Sequence, residues 1–369
     1  MRIVIDAYQM TAAITGTDRQ ARNVLRELQQ LDRVNDYIVI VNADNSFVSD
    51  IIIAPNFTLR PTLFKKRASW ILFGLPFLLL KLRADVFFSF HNLTAPSLPL
   101  CRSVASALDL VPFLYQKSYY KGWKAYWFRR LIVLGYMRIS TMTASAFLAN
   151  SNFTRDAMVE YFHMNPKRFC VAYLQADPIF FEPIKRDEIQ RAREQYDLPQ
   201  SYIFTLGAAE PRKNVKNLAL AHRAMPLDLR KKYPLLVGGS KWQNEDAHFS
   251  NDPYIQLTGF IQDVDLPAVY HEATVFAFPS FYEGFGLPLL EAMAVGTPVI
   301  TSTATSLPEA AGEAAILVDP DNITELTHQL EQILTRPELR NDFIKKGRLH
   351  VETFSWKSNA ERLLKLLIP

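Results

Sequence analysis

Cysteine is nearly absent from this 369-residue chain, which holds only Cys101 and Cys170. The two share no metal-ligand spacing, so neither a disulfide framework nor a zinc site is expected, and two free structural thiols fit a reducing compartment. Long apolar runs are missing as well. The longest, Trp70 to Leu80, is broken by Pro76 and falls short of the ~20 residues that span a bilayer, so no transmembrane helix is expected. The opening MRIVIDAY has neither the basic segment nor the apolar core of a secretion signal and reads as a first strand; the expected location is cytoplasmic. No G-x-G-x-x-G follows that strand, which disfavours a nicotinamide dehydrogenase. No nucleic-acid-binding module is recognisable, so no nucleic-acid partner is expected.

Acidic residues are scarce in one stretch. Between Arg60 and Ser140 thirteen basic residues face only Asp85 and Asp109, a local charge of +11 within a chain whose net charge is +4. Lys65, Lys66 and Arg67 precede Trp70 and the apolar run. Lys117, Lys121, Lys124, Arg129 and Arg130 mingle with Tyr119, Tyr120, Trp123, Tyr126, Trp127 and Phe128. Tyr120, Trp123, Trp127, Leu131 and Leu134 recur at helical spacing, giving an apolar face with cationic neighbours. That pattern suits an anionic membrane surface, and a peripheral position on the inner face of the cytoplasmic membrane is expected. A core-facing helix with a solvated basic side is the competing reading.

What is present points to two domains, since the length exceeds what one core serves at about 150 residues each. The first half alternates strand-like and helical runs: Ile3 to Ile5, Arg19 to Leu31 as a helix, Tyr37 to Val41, Val86 to Phe90 and Phe147 to Ala149. That alternation implies a doubly wound α/β domain. After Ala176 a charged, proline-bearing passage crosses to a second domain, with the boundary expected near Phe180 to Pro183. The second half restarts with strands at Tyr202 to Leu206, Leu235 to Val237 and Ile255 to Leu257 and a helix at Val215 to Arg223. The end, Ser358 to Leu367, reads as a helix.

The stretch Phe278 to Asp319 carries the most chemistry. Val275 to Phe278 reads as a buried strand, Gly284 and Gly286 loosen the backbone after it, and Pro288 suits the first turn of a helix running to Val295. Gly296 fits its C-cap, Pro298 stops it, and Val299 begins the next strand. Strand, loop, helix, strand makes a parallel sheet, whose ligands sit beyond the carboxyl ends of the strands, and phosphates suit the helix amino end. Glu283 and Glu291 flank this loop with seven residues between them. Taken singly, either acid could be a dipole partner or a solvated loop residue. Gly207 ends the first strand of the second half, and Arg212 and Lys213 follow just before a helix, where their cations would face an anion and stabilise a departing diphosphate without a metal.

These segments together, with SLPEAAG from Ser306 to Gly312 and the GxxxPRKN pattern from Gly207 to Asn214, closely resemble the signature of glycosyltransferase family 4. These are group 1 enzymes, the retaining nucleotide-sugar transferases of GT-B architecture. The resemblance implies an α/β fold of two Rossmann-like, doubly wound domains facing a central cleft. The implied domains are 1–180 for the acceptor, 181–353 for the nucleotide sugar, and 354–369 as a helix crossing back to the first. It gives Lys213 the donor diphosphate with Arg212 beside it, Glu291 the ribose hydroxyls and Glu283 the transferred sugar. The amides of Phe285, Gly286 and Leu287 would cradle the distal phosphate or sugar, and the base would pack near Gly259, Phe260 and Ile261. Gly238, Gly239 and Trp242 lie in a loop expected to border the same site, with plain packing the competing reading for Trp242.

The chain also departs from the family pattern. In TAAITGTDR it keeps Gly16 and Arg19 but has Asp18 where a second glycine is common; a carboxylate there is expected to turn away from the donor or meet an acceptor hydroxyl. Ala208 stands where many relatives have arginine. The family's His-Asp-Leu is Leu108, Asp109, Leu110 here, so the histidine that touches the transferred sugar is missing, and Asp109 and His91 are the acceptor or sugar candidates in its place. Ser151 reads as the N-cap of the SNFTRD turn.

The implied activity is transfer of a hexose, with retained configuration, from a nucleoside diphosphate sugar to a hydroxyl of a glycan or lipid-linked acceptor in bacterial surface polysaccharide synthesis. The first donor expectation is GDP-mannose, by analogy with bacterial mannosyltransferases. No cofactor and no metal is expected. The competing readings are a noncatalytic nucleotide-sugar-binding partner of another transferase and a sugar-nucleotide epimerase of the same architecture.

Overall fold

A computed structural model describes residues 1–8, 10, 15–42, 51–64, 67–96, 100–114, 123–207, 210–239 and 252–368. The expectations attached to Lys65, Lys66, Lys117, Tyr119, Tyr120, Lys121, Ala208 and Trp242 lie outside the described residues, as do those on the side chains of Trp123, Lys124, Tyr126, Phe128, Arg129 and Arg130. The chain forms two compact units, one of Met1–Leu174 with Ser355–Pro369 and one of Gln175–Phe354.

The first unit is built on a seven-stranded parallel sheet. Its strands are β1 (Arg2–Asp6), β2 (Asp36–Asn42), β3 (Phe57–Thr62), β4 (Val86–Asn92), β5 (Arg102–Ala107), β6 (Ala146–Ala149) and β7 (Phe169–Val171), in the order β3-β2-β1-β4-β5-β6-β7. Strands covered on both faces read as unbroken apolar runs, and Ile3, Val4 and Ile5 are fully buried accordingly. Ile3 is paired with Tyr37 on one side and Val86 on the other, so the order reverses between β1 and β4.

The helix Gly16–Leu31 buries Ala21, Val24, Leu25 and Leu28, and the last helix, Trp356–Leu367, packs against it. Asn359 fixes that last helix to the sheet by donating Nδ2 to Ala172 O and Tyr173 O, both at 2.9 Å. The segment from Trp70 is helical to Leu82, with a wide π turn over Trp70–Gly74. Gly74 is required there because a Cβ would stand 2.6 Å from the rings of Phe64 and Trp70. One face, Trp70, Ile71, Leu75 and Leu79, packs on Tyr8, Ile38, Ile40 and Phe87. The opposite face leaves Leu72, Phe73, Phe77 and Leu80 exposed.

The second unit holds a six-stranded parallel sheet of β8 (Ile203–Leu206), β9 (Leu235–Gly238), β10 (Ile255–Gly259), β11 (Val275–Phe278), β12 (Val299–Ser302) and β13 (Ala315–Val318), ordered β10-β9-β8-β11-β12-β13. The reversal falls between β8 and β11, which pair through Val275 with Ile203. The charged passage after Ala176 belongs to this unit. Phe180 is buried in it, its ring meeting that of Tyr270 edge-on at 6.0 Å, and the chain changes unit at Leu174 and Gln175. The α/β, GT-B plan of two Rossmann-like parallel sheets is therefore present.

Candidate functional site

The loop after β8 is shaped by three backbone constraints. Gly207 sits at φ +100°, a conformation open to glycine, and a Cβ there would come 2.7 Å from Lys213 Cγ. Pro211–Lys213 makes one 3₁₀ turn, and Asn214 then takes φ +57°, which asparagine tolerates better than most residues, before the helix Val215–Ala224 begins. Asn214 locks the turn by donating Nδ2 to Pro279 O at 3.0 Å and Pro320 O at 2.7 Å. The Phe281 amide donates to Arg212 O at 2.8 Å, tying the loop after β8 to the one after β11.

Two cations are thereby brought onto one acid. Lys213 Nζ lies 2.7 Å from Glu283 Oε1, and Arg212 NH1 lies 2.9 Å from Glu283 Oε2. Arg212 also meets Glu210 at 2.7 Å and donates to Tyr282 O at 2.9 Å. Lys213 is 9% and Glu283 7% exposed, so the group is shielded from most solvent screening. The ammonium stands 4.5 Å from the centre of the Phe278 ring, a cation–π contact. Burial alone would raise the Glu283 carboxyl, but the charges of Lys213 and Arg212 outweigh it and hold it below the usual carboxylate range. Glu283 is held at both ends of its peptide unit: its amide donates to Thr305 Oγ1 at 3.1 Å and its carbonyl accepts from Ser306 Oγ at 2.9 Å.

Beyond Glu283 the chain turns into the helix Leu287–Val295 through Gly286 at φ +108°, where a Cβ would press on Leu307 at 2.8 Å. Glu291, only 3% exposed, accepts from the Tyr270 hydroxyl at 3.2 Å. Phe285 and Leu287 are buried, and the Phe285 ring meets Phe354 edge-on. The carboxyl ends of β8, β9 and β10 are in line: the Gly207 amide donates to Gly238 O at 2.9 Å and the Gly239 amide to Gly259 O at 2.8 Å. Phe260 is exposed beside them and Ile261 is buried. Arg212, Lys213 and Glu283 are thus in direct contact, whereas Glu291 lies on the following helix and Gly259, Phe260 and Ile261 at the sheet's β10 edge.

Gly16, His91 and Asp109 lie in the first unit. Gly16 opens its helix, and Asp18 turns back on Thr15, accepting from the Thr15 amide at 2.9 Å and its hydroxyl at 2.7 Å. This is a capping box, and it gives the aspartate a local task where a second glycine was the family pattern. Ser151 caps its helix by accepting from the Thr154 amide at 2.9 Å. Asp109 accepts from the Val111 amide at 3.0 Å, and Asn92 Nδ2 donates to its carbonyl at 2.8 Å. His91, inside β4, has Nδ1 3.2 Å from Asn92 O and 3.3 Å from Thr94 Oγ1. Burial, aided by the Arg67 charge, holds its pKa well below the usual histidine value.

Arg67 is a correction to the sequence reading, which grouped it with surface cations. It is half-buried within electrostatic reach of Asp6, donating to Thr94 Oγ1 at 2.9 Å, and desolvation lowers its pKa to about 10. Asp6 and Thr305 escaped sequence reading altogether. Asp6 carried a signal, an acid ending the first apolar strand; Thr305, at φ +55°, carried none. Among the described residues no group of three or more His, Cys, Asp or Glu could hold a metal ion.

Residues 186–350 match the family model described as glycosyl transferases group 1. An O-antigen chain mannosyltransferase B of Escherichia coli is 32% identical over 235 residues, 60% of this chain and 61% of that protein. A serotype-specific mannosyltransferase, WbdA, of the same species is 27% identical over 271 residues, 70% of this chain and 32% of that protein. The chain thus spans about three fifths of the first relative and a third of the second. Among solved structures, WaaG, a glycosyltransferase involved in lipopolysaccharide biosynthesis, superposes with a TM-score of 0.76 at 17% identity over 99% of both chains. Anabaena HepE in complex with UDP-glucose gives 0.73 at 14% identity, over 99% of this chain and 98% of that one. These two likenesses concern the fold alone. Residues 186–350, which hold Arg212, Lys213, Glu283 and Glu291, thus match the group 1 glycosyltransferase model.

Proposed function

We propose that the protein is a retaining hexosyltransferase that moves a sugar, mannose from GDP-mannose as the first candidate, from a nucleoside diphosphate to a hydroxyl of a glycan or lipid-linked acceptor. The observation that carries this reading is the contact of Arg212 and Lys213 with Glu283 at the switch point of the second sheet, where open parallel sheets take their ligands. Two fixed cations in a shielded site suit a diphosphate and the charge that grows on it as it leaves. In this reading Arg212 and Lys213 take the phosphates while Glu283 faces the transferred sugar. Glu291 accepts from the ribose, and Gly207 and the amides of Phe285, Gly286 and Leu287 border the donor. Gly259, Phe260 and Ile261 flank the base. Gly16, His91 and Asp109 are proposed for the first unit's part in binding sugar or acceptor.

In the step itself the bond from the anomeric carbon to the diphosphate breaks and a bond to the acceptor oxygen forms on the same face. The acceptor proton passes to the departing diphosphate oxygen. Arg212 and Lys213 hold the negative charge through the step, and no protein nucleophile is invoked. The relatives named as mannosyltransferases support the donor, and the O-antigen relative supports a place in surface polysaccharide synthesis.

A peripheral, cytoplasmic position at an anionic membrane is part of the same proposal. No helix among the described residues is long and apolar enough to cross a membrane. Phe73 is 69% and Phe77 67% exposed on one face of their helix, with Leu72 and Leu80 beside them, in a stretch of strongly positive charge. Incubation of the protein with radiolabelled GDP-mannose, UDP-glucose or UDP-galactose and a membrane lipid and glycan extract tests the activity. Transfer of label to the extract is expected with one donor; binding without turnover for all three would reduce the protein to a nucleotide-sugar binder.

A further inference from the structure

Tyr270 lies in the helix Leu266–Glu272 and is fully buried. Its ring stands on the strands between which the second sheet reverses its order. Phe204 of β8 and Phe276 of β11 are register partners across that reversal, and both rings meet Tyr270 edge-on, at 5.2 and 5.0 Å. Phe180 meets it from a third side at 6.0 Å. Edge-on packing of this kind fixes a ring in both position and tilt. The backbone is fixed as well: Tyr270 O accepts from Thr297 Oγ1 at 2.6 Å and from the Ala273 amide at 3.1 Å. Tyr202 ties the same helix to the start of β8 by donating its hydroxyl to Val269 O at 2.7 Å.

From this seat the Tyr270 hydroxyl reaches Glu291 Oε2, at 3.2 Å, in the second turn of the helix Leu287–Val295. A glutamate side chain has several torsions to fix, and a carboxylate that waits for a ligand binds it better when a neighbour already holds the right arrangement. A phenol bond uses one of about four lone-pair directions on a carboxylate, so holding Oε2 leaves acceptor capacity for vicinal ribose hydroxyls. A site built around such hydroxyls rejects an analogue that lacks them, because its buried polar groups then lose their partners.

We propose that Tyr270 is the positioning residue for Glu291, and that the pair sets a preference for ribonucleoside diphosphates over forms lacking the ribose hydroxyls. The inference rests on the donor reading above, in which Glu291 accepts from the ribose, and the two fail in different ways. Calorimetric titration of the full chain with GDP, UDP and the 2′,3′-dideoxy forms of both gives the readout. The nucleotide that binds the parent does so about tenfold or more tighter than its dideoxy form. Tyr270→Phe keeps the ring and its edge-on contacts and loses only the hydroxyl. It weakens the ribonucleotide about fivefold and the dideoxy form less than about twofold, with a few degrees at most lost in melting temperature. In a Glu291→Gln background the same substitution weakens the ribonucleotide no further, since residues that act through one another are not additive. Equal weakening of both sugar forms, the mark of a hydroxyl that serves the fold alone, overturns the proposal. So does an unchanged ribose preference, or a full additive loss in the double variant. A parent that binds ribose and dideoxyribose forms alike overturns it through Glu291 while leaving the phosphate site in place. A parent that binds no nucleotide overturns the donor site itself, and this proposal with it.

Discussion

Lys213 Nζ stands 2.7 Å from Glu283 Oε1 while Arg212 occupies the other oxygen of the same carboxylate at 2.9 Å. An internal acid thus satisfies the two cations proposed for the donor's diphosphate. On the function proposed above, binding a nucleotide sugar would exchange partners, phosphate oxygens taking the cations and the carboxylate turning to sugar hydroxyls. Glu283→Gln removes that internal anion, leaving the buried Lys213 ammonium under-compensated and Arg212 with Glu210 as its remaining carboxylate, a change that typically costs up to about 3–5 kcal/mol. The variant is expected to melt lower than the parent and to be raised further by saturating GDP than the parent is, while transferring no sugar. Equal melting curves with and without nucleotide, or normal turnover, would refute the exchange.

Gly207→Ala addresses the same site from the backbone. Its left-handed φ and the 2.7 Å approach to the Lys213 stem mean that a methyl group strains the loop by about 1–3 kcal/mol and displaces the ammonium. Nucleoside diphosphate affinity should fall by about tenfold or more with only a few degrees lost in melting temperature. Unaltered affinity would show that Lys213 does not hold the phosphates.

His222 sets a pH dependence. Its Nε2 is 3.1 Å from Tyr233 O, while Nδ1 is buried without a hydrogen-bond partner among the described residues, and burial lowers its pKa from 6.5 to about 4. The folded state binds the proton less readily than the unfolded one, so the stabilisation is complete above pH 6.5. It is lost as pH falls toward 4, by roughly 3 kcal/mol in total. His91, shifted the same way, adds the same sign. Denaturant midpoints measured between pH 7 and 4 should fall less steeply in His222→Gln than in the parent; parallel slopes would contradict this.

The membrane contact proposed above rests on the exposed apolar face of the helix running to Leu82. Phe73→Ser together with Phe77→Ser removes two exposed rings without touching the buried face, and cosedimentation with anionic vesicles should drop several-fold at unchanged melting temperature. Equal cosedimentation would remove that face from the account.

Legibility in the sequence followed local punctuation. β11, the helix Leu287–Val295 and β12 were readable because an apolar run, glycines, Pro288, Gly296 and Pro298 all argue for the same boundaries. β3 was missed because Pro61 sits in it, tolerated at the sheet's edge. β5 reads RSVASA, too small and polar to announce a strand, and β7 has three residues. β13 follows an alanine-rich stretch that continues a helical pattern until Gly312, at φ +52°, breaks it.

The same limit applies to the site. Arg212, Lys213 and Glu283 were legible from spacing and family resemblance, but their mutual pairing was not, since it depends on two loops from β8 and β11 meeting at the Phe281 amide. Arg67 looked like one more surface cation beside Lys65 and Lys66. Its burial with Asp6 arises from pairing of β1 and β4 and from the helix that packs Trp70 across them, contacts that no local window contains.

The most direct measurement is calorimetric titration of the parent and of Lys213→Ala with GDP and UDP. One nucleotide should bind the parent at micromolar concentration, and the variant should lose at least tenfold while keeping its fold. Equal affinity in the two proteins, or no affinity of the parent for either nucleotide, would contradict a donor site at Arg212, Lys213 and Glu283.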